Sequence, residues 1–284
     1  MSFKHLGVLG AGQMGAGIAQ VAALSGLEVQ LADQSLDHAN QGKATIEKRL
    51  SKAVQKEKLT QEQAQLALDQ IHPVGELQAF ESVEFAIEAA TENKALKFDL
   101  FKKLDSVCSD SAVLATNTSS ISITEIAATT SRPEKVVGMH FMNPVPVMKL
   151  VEGIRGLQTS DKTFDSVKKL SQTLGKTFIE VTDQPGFAVN RILMPMINEA
   201  IFALFEGVAS VEDIDAAMTL GTHQPMGPLT LADFIGLDTC ESILNVMHEG
   251  LGDPKYRPCP LLKKYVAAGW LGKKTRRGFY RYDL

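Results

Sequence analysis

The sequence has few cysteines and no strong excess of charge, and each absence excludes a class of protein. Its three cysteines, Cys108, Cys240 and Cys259, are odd in number and far apart. A disulfide framework or a metal site with C-x-x-C spacing is therefore not expected, and a reducing compartment is the simplest interpretation. The formal net charge of −4 gives no electrostatic basis for binding nucleic acid or an anionic membrane.

Long apolar runs are also absent. The most apolar long stretch, residues 186–208, is interrupted by five polar residues: Asn190, Arg191, Asn198, Glu199 and Glu206. No uncharged run therefore reaches the ~18 residues needed to span a bilayer. The first apolar run begins almost directly after Met1, which leaves no room for a targeting peptide. The sequence predicts a cytoplasmic protein with no metal, no membrane partner and no nucleic-acid partner.

A glycine turn between two apolar runs is the most informative feature present. It follows the run 6–9 and precedes a helix-like stretch and a second run that ends in Asp33. In dinucleotide-binding folds such glycines permit a tight turn, close approach of a pyrophosphate, and packing of the helix on the strand. Asp33 is placed to accept hydrogen bonds from ribose hydroxyls and would repel a 2′-phosphate. The motif predicts NAD as cofactor; the alternative is a glycine-rich turn without a ligand. The predicted cofactor residues of the turn are Gly10, Gly12, Gln13, Met14 and Gly15.

The order of patterns along the chain predicts two domains. Apolar runs alternate with helical patterns as far as Asp183, which is typical of a mostly parallel sheet covered on both faces. After Pro185-Gly186 the strand signals stop and helical patterns follow. We therefore expect an α/β protein with an N-terminal Rossmann-type domain in residues 1–184 and an all-α domain in residues 185–284.

Residues 36–69 are helical in character and longer than a simple crossover requires. Thr60 with Gln63 resembles a capping box and divides the segment, so we expect a helix–turn–helix arm that projects from the sheet. Lys48, Lys52 and Lys56 recur every four residues and share one helix face. That face is either solvated or a docking site for phosphate groups.

Polar residues at the predicted carboxyl ends of strands are the candidate catalytic groups, because ligands bind at that edge in such folds. Ser119 follows the run 113–116; its hydroxyl could meet a ligand or only cap the loop. His140 lies at the end of the run 136–141, and Glu152 is predicted to end the next strand, residues 149–151. If these two strands are neighbours, the carboxylate meets the imidazole and fixes its tautomer for general-base catalysis. Otherwise both are ordinary strand-end side chains, with Glu152 solvated before a turn at Gly153.

Asn190 is a further candidate. Asparagine is unfavourable inside a helix because its side chain competes for backbone groups, yet Asn190 falls within the apolar face of the helix predicted over residues 186–205. Its amide could bind a substrate carbonyl; the alternative is a satisfied buried amide.

The ordered set of motifs resembles the short-chain L-3-hydroxyacyl-CoA dehydrogenases, including the bacterial 3-hydroxybutyryl-CoA dehydrogenases, over essentially the whole chain. The matching segments are Gly10–Gly15, Asn117–Ser120, His140–Pro146, Asp183–Arg191, Pro225–Pro228, Gly236–Asp238 and Gly278–Tyr280. The resemblance implies NAD-dependent oxidation of (S)-3-hydroxyacyl-CoA to the 3-ketoacyl-CoA, and the reverse reduction, in fatty-acid or butyrate metabolism. The implied substrate is short-chain, 3-hydroxybutyryl-CoA.

The resemblance also implies roles for individual residues. His140 would be the general base, Glu152 would orient and support it, Ser119 would hydrogen-bond the substrate oxygen, and Asn190 would position the substrate. It further implies a homodimer formed through the helical domain, which would also serve substrate binding. Other implied contacts are with NAD at Glu92, Lys97 and Asn117, and with the CoA phosphates at Lys52 and Lys56.

One position departs from the family pattern, and two other functions stay open. Arg276 stands where relatives commonly carry glycine, which indicates a tight turn there. A β-hydroxyacid dehydrogenase of the phosphogluconate type would also open with a Rossmann turn, but it relies on a catalytic lysine where this chain has Asn190. A structural protein that binds NADH, like the lambda-crystallins, is the non-enzymatic alternative.

Overall fold

The computed structural model describes residues 3–283, which divide into two compact units between Gln184 and Pro185. The first unit contains an eight-stranded sheet with strand order β3-β2-β1-β4-β5-β6-β7-β8. Neighbouring strands pair in parallel except β6 with β7. The strands are β1 His5–Leu9, β2 Glu28–Ala32, β3 Ile71–Val74, β4 Phe85–Glu88, β5 Val113–Thr116, β6 Val136–Phe141, β7 Leu150–Arg155 and β8 Thr177–Thr182. The predicted α/β class is confirmed.

Helices cover this sheet, and their limits follow local sequence signals. The helices of the first unit are α1 Gln13–Leu24, α2 Leu36–Gln55, α3 Gln61–Asp69, α4 Lys94–Val107, α5 Ile123–Ala127 and α6 Asp161–Thr173. The predicted arm is α2 and α3, and Thr60 and Gln63 form the expected capping box before α3. The arm's inner face, which includes Ile46 and Leu50, is fully buried in the core of the sheet unit.

Two strands differ from the sequence-based prediction. β3 was not predicted, because it has only four residues and contains Pro73. It lies at the edge of the sheet, where proline is tolerated. β7 runs on to Arg155, so Glu152 lies inside the strand and not at its end. Gly153 does not mark a turn: the ring of Phe178 packs where a Cβ of Gly153 would lie.

The second unit is helical. Its helices are α7 Val189–Phe205, α8 Val211–Gly221, α9 Pro228–Ile235, α10 Leu237–Leu251 and α11 Pro260–Ala267. Their core includes Met194, Ile197 and Leu244. α7 begins three residues later than predicted, because Gly186 and Phe187 both have positive φ angles, 84° and 49°. Asn190 is therefore in the first turn of α7, and the argument from an unfavourable position inside a helix does not apply to it.

Two buried carboxylates hold the C-terminal segment against this helical core. Asp233 accepts hydrogen bonds from the backbone N–H groups of Phe279 and Tyr280, and Asp215 accepts one from the Tyr280 hydroxyl. Burial raises the pKa of Asp233 despite these hydrogen bonds. Within residues 3–283 no helix is long and apolar enough to span a bilayer.

The turn at Arg276 offers the first test. Arg276 is exposed and adopts a left-handed conformation with φ 59° and ψ 11°, which glycine adopts without steric cost and other residues do not. We expect Arg276→Gly to raise the free energy of unfolding by about 0.5–1 kcal/mol, measured by urea denaturation. The control is Lys273→Gly in the same turn, where φ is not positive; it should be destabilising. A lower urea midpoint for Arg276→Gly would contradict the assignment of strain.

Candidate active site

His140 and Glu152 form a buried pair between two antiparallel strands. The register of β6 and β7 places the two residues directly opposite each other. The Nδ1 atom of His140 lies 2.6 Å from Oε2 of Glu152; Glu152 is fully buried and His140 is 8% exposed. With the Nδ1 proton donated to the carboxylate, Nε2 is the ring nitrogen that can accept a proton. This geometry is suited to general acid–base chemistry.

Glu92 organises the loop that follows β5. Its Oε1 atom accepts hydrogen bonds from the hydroxyls of Thr118 and Ser120 at 2.6 and 2.9 Å, and from the backbone N–H groups of Ser119 and Ser120 at 2.9 and 3.1 Å. The Ser119 hydroxyl lies 3.3 Å from the same oxygen. Burial alone would raise the pKa of Glu92, but the charge of Lys97 and these hydrogen bonds outweigh it and lower the pKa. Glu92 therefore positions Ser119 whether or not it also contacts a cofactor.

Lys97 is buried beneath this loop. Its Nζ atom lies 2.6 Å from Oε1 of Glu88, 3.2 Å from the carbonyl oxygen of Ala90 and 3.5 Å from Oε2 of Glu92. Lys97 is 1% exposed and Glu88 is fully buried. The other oxygen of Glu88 accepts a hydrogen bond from the Thr116 hydroxyl at 2.7 Å. The ammonium group thus contacts two carboxylates, Glu88 and Glu92, which in turn bind Thr116 of β5 and the loop after β5. Sequence analysis missed this supporting role of Lys97.

Asn117, directly after β5, links the end of β4 to the end of β6. Its backbone N–H donates to the carbonyl oxygen of Glu88, and its Oδ1 atom accepts a hydrogen bond from the N–H of Phe141 at 2.9 Å. Phe141 directly follows His140. Asn117 therefore fixes the position of His140 relative to the Ser119 loop.

The glycine turn has the geometry that a dinucleotide requires. Gly10 has φ 106°, and a Cβ on it would lie 2.6 Å from the carbonyl oxygen of Ala89. A Cβ on Gly15 would overlap the carbonyl oxygen of Gly10, whereas a Cβ on Gly12 would meet no atom within 4 Å. The chain packs tightly on both sides of Gly12 and leaves open space at Gly12, where a pyrophosphate can approach the backbone.

Asp33 holds the same turn from the end of β2. Its Oδ2 atom accepts the N–H of Ala11 at 2.6 Å, and Oδ1 accepts the N–H of Gln34 at 2.7 Å. A carboxylate has about four acceptor positions, so capacity is left for ribose hydroxyls. A cavity of about 440 Å³ adjoins Asp33, Gly10 and Gly12. These residues fit an NAD cofactor.

The apolar wall of this cavity was missed by the sequence analysis. Leu77, Leu96 and Leu100 line it. Leu96 and Leu100 form one apolar stripe of α4 with Phe101 and Leu104, but only the latter two are fully buried, whereas Leu96 is 41% exposed. The α4 stripe is wide enough to serve both the core and a ligand surface, which is the signal that could have revealed it.

The remaining predicted residues lie apart from this cluster in the chain. Lys52 is in the last turn of α2 and Lys56 directly follows that helix. Both are exposed, and neither forms an ion pair with any residue in the described part of the chain. Asn190 belongs to the second unit, where it is the second residue of α7 and 8% exposed. Across residues 3–283, no group of three His, Cys, Asp or Glu side chains is placed to hold a metal ion.

A Rossmann-type sheet with a tight glycine turn, an acid directly after β2 and a histidine–glutamate pair at the same edge is the arrangement of an NAD-dependent dehydrogenase. Residues 5–184 match the family model for the 3-hydroxyacyl-CoA dehydrogenase NAD binding domain, and residues 186–282 match that for the C-terminal domain. The chain belongs to the 3-hydroxyacyl-CoA dehydrogenase family, which confirms the resemblance seen in the sequence.

Individual relatives support the family assignment over the full length. The 3-hydroxybutyryl-CoA dehydrogenase of Bradyrhizobium diazoefficiens is 56% identical over 279 residues, covering 98% of this chain and 95% of the relative. The mitochondrial hydroxyacyl-coenzyme A dehydrogenase of Homo sapiens is 45% identical over 286 residues, covering 98% and 91%. The crystal structure of (S)-3-hydroxybutyryl-CoA dehydrogenase from Ralstonia eutropha has a TM-score of 0.97 and 50% identity, covering 100% of both chains.

Proposed function

We propose that this protein oxidises short-chain (S)-3-hydroxyacyl-CoA thioesters to 3-ketoacyl-CoA with NAD and catalyses the reverse reduction. The observation that carries the proposal is the His140–Glu152 pair, which lies at the same sheet edge as a glycine turn that fits the cofactor. Relatives named for 3-hydroxybutyryl-CoA are 55% and 56% identical over nearly the whole chain, which supports a four-carbon substrate.

The chemistry divides between the cofactor and the protein. Bound NAD supplies a hydride acceptor. Nε2 of His140 removes the proton of the substrate 3-hydroxyl, and the buried carboxylate of Glu152 stabilises the imidazolium that forms. In the reverse direction His140 returns this proton to the 3-keto oxygen. We assign the Ser119 hydroxyl to a hydrogen bond with the same substrate oxygen and Asn190 to positioning of the thioester.

Exposed cations support recognition of coenzyme A. Lys52 and Lys56 lie one helical turn apart at the end of α2, so their ammonium groups can serve one group of phosphates. We assign them to the CoA phosphates, as the family resemblance implies.

We also propose a cytoplasmic homodimer formed through the helical unit. On α7, Ile192 is 74% exposed and Phe205 is 47% exposed, and Val208 just beyond the helix is 72% exposed. We infer that a second copy of the chain covers part of this exposed apolar surface. The three cysteines are buried and unpaired, which supports a reducing compartment.

The proposed function is tested by steady-state kinetics of the purified protein. We expect oxidation of NADH that depends on acetoacetyl-CoA, with kcat/KM highest for four-carbon substrates in a series from C4 to C10. NADPH should be a poor substitute. Binding of NADH without turnover of any member of the series would favour the structural, crystallin-like alternative over the enzyme.

Asp33 should control the choice between the two cofactors. Asp33→Asn removes the negative charge and keeps one of the two oxygens that accept the N–H groups of Ala11 and Gln34, so we expect the preference for NADH over NADPH to fall about tenfold, equivalent to ~1.4 kcal/mol. The ratio of kcat/KM values for the two cofactors measures it. Glu28→Gln, at the opposite end of β2, should leave the ratio unchanged. An unchanged ratio in Asp33→Asn would remove Asp33 from cofactor selection.

A further inference from the structure

The loop between β6 and β7, residues 142–149, is held firmly in place. The side chain of Gln13 donates a hydrogen bond to Oδ1 of Asn143 at 3.0 Å. Val145 is 2% exposed and belongs to the core that contains α1. A Cβ on Gly17 of α1 would lie 2.9 Å from the Cβ of Val145. The loop is therefore packed closely against the helix that follows the glycine turn.

A buried lysine holds the same loop from the other side. The Nζ atom of Lys176, just before β8, donates hydrogen bonds to the carbonyl oxygens of Val145 and Met148 at 2.5 and 2.8 Å. Lys176 is only 9% exposed. Because a buried ammonium must be hydrogen-bonded, movement of these carbonyl groups would be costly, and the loop keeps one conformation.

This fixed loop exposes apolar side chains, and it connects the two strands that carry the catalytic pair. Val147 is 70% exposed and Met148 is 41% exposed. The loop joins the two strands that carry His140 and Glu152, and it lies at the carboxyl end of β6. A rigid loop that exposes apolar side chains at the same sheet edge as the catalytic residues indicates contact with an apolar ligand.

Resting on the proposed function, we propose that Val147 and Met148 bind the apolar chain of the thioester substrate and set its specificity. An acyl-CoA has two chains with apolar groups: the acyl tail, and the pantetheine arm, whose methylene and methyl groups alternate with polar amides. Both are flexible, uncharged over most of their length and attached to the thioester near C3. The phosphates of coenzyme A need cations, which the side chains of Val147 and Met148 do not supply.

The test uses Val147→Ser and Met148→Gln in the full-length protein. Both side chains are exposed, so neither change should affect folding. The matched control is Leu157→Gln: Leu157 is 87% exposed but follows β7, and because β7 is antiparallel to β6 it lies at the opposite edge of the sheet. kcat/KM is measured for 3-ketoacyl-CoA substrates from C4 to C10, and for the N-acetylcysteamine thioester of acetoacetate, which lacks most of the pantetheine arm.

The two sources of apolar chain give different results. If the acyl tail is bound, the loss in kcat/KM should grow with acyl length and reach about 3- to 10-fold for the longer substrates. If the pantetheine arm is bound, the loss should be the same at every acyl length and disappear with the N-acetylcysteamine thioester. Leu157→Gln should match the wild type throughout.

Two outcomes would overturn the inference. One is wild-type kcat/KM for every substrate in both variants; the other is a change in oligomeric state, measured by light scattering, that accounts for the loss and assigns this surface to a second copy of the chain. Failure of the proposed function is distinguishable, because the wild-type protein itself would then not turn over acetoacetyl-CoA.

Discussion

His140→Gln should lower the rate of NADH oxidation with acetoacetyl-CoA by about 10²–10⁴-fold, the usual contribution of a general acid–base residue. Glutamine keeps a polar side chain of similar length but cannot exchange a proton. Because the glycine turn and Asp33 are unaffected, the dissociation constant for NADH should stay within about twofold of the wild type, a difference well under 1 kcal/mol. A continuous assay of NADH absorbance measures the rate of oxidation, and a fluorescence titration with NADH measures the dissociation constant.

The control for this prediction is His72→Gln. His72 is an exposed histidine of β3 that pairs with Glu28 at 2.5 Å, on the strand at the far edge of the sheet from β6 and β7. It should retain wild-type turnover. Substantial residual turnover in His140→Gln, within tenfold of the control, would refute the assignment of His140 as the general base.

Lys97→Met should lower the free energy of unfolding by about 3–5 kcal/mol, because it leaves the buried carboxylate of Glu88 without its cation. Methionine fills nearly the same volume, so the loss of charge and hydrogen bonds is the main change. The double variant Lys97→Met with Glu88→Gln removes both charges and should recover part of the loss. Urea denaturation measures the free energy of unfolding of the wild type and of both variants.

The matched control is Lys94→Met. Lys94 pairs with Glu125 at 2.8 Å, but both side chains are about half exposed, and exposed pairs contribute ~0–1 kcal/mol. If Lys97→Met unfolds at the same urea concentration as Lys94→Met, Lys97 does not support the site as described. An NADH titration of the same variants separates support of the loop from the direct NAD contact that the family resemblance implies.

Features encoded by neighbouring residues were predictable from the sequence. The capping box at Thr60 depends on contacts within three residues, and the glycine turn is recognisable from the spacing of its own residues. Local signals also failed where one residue type serves two purposes. Gly153 was interpreted as a turn, but it makes room for the ring of Phe178 inside β7, so the predicted strand was too short and Glu152 was placed at its end.

The candidate site was only partly predictable. His140 and Glu152 are close only because β7 turns back against β6, and nothing in an apolar run shows its direction. Lys97 has the sequence environment of a solvated helix residue, yet it is 1% exposed. Its burial depends on two acidic groups, Glu88 and Glu92, that come from outside its own helix.

The amino-acid sequence alone determined the α/β class, the cofactor-binding turn and the family, because these follow from the order of residues along the chain. The tertiary structure decided which carboxylate faces His140 and which ammonium group contacts Glu88 and Glu92. It also decided which apolar side chains stay exposed on the loop between β6 and β7. The physical reason is that hydrogen bonds and burial depend on distances in space, and strand direction sets these distances independently of separation along the chain.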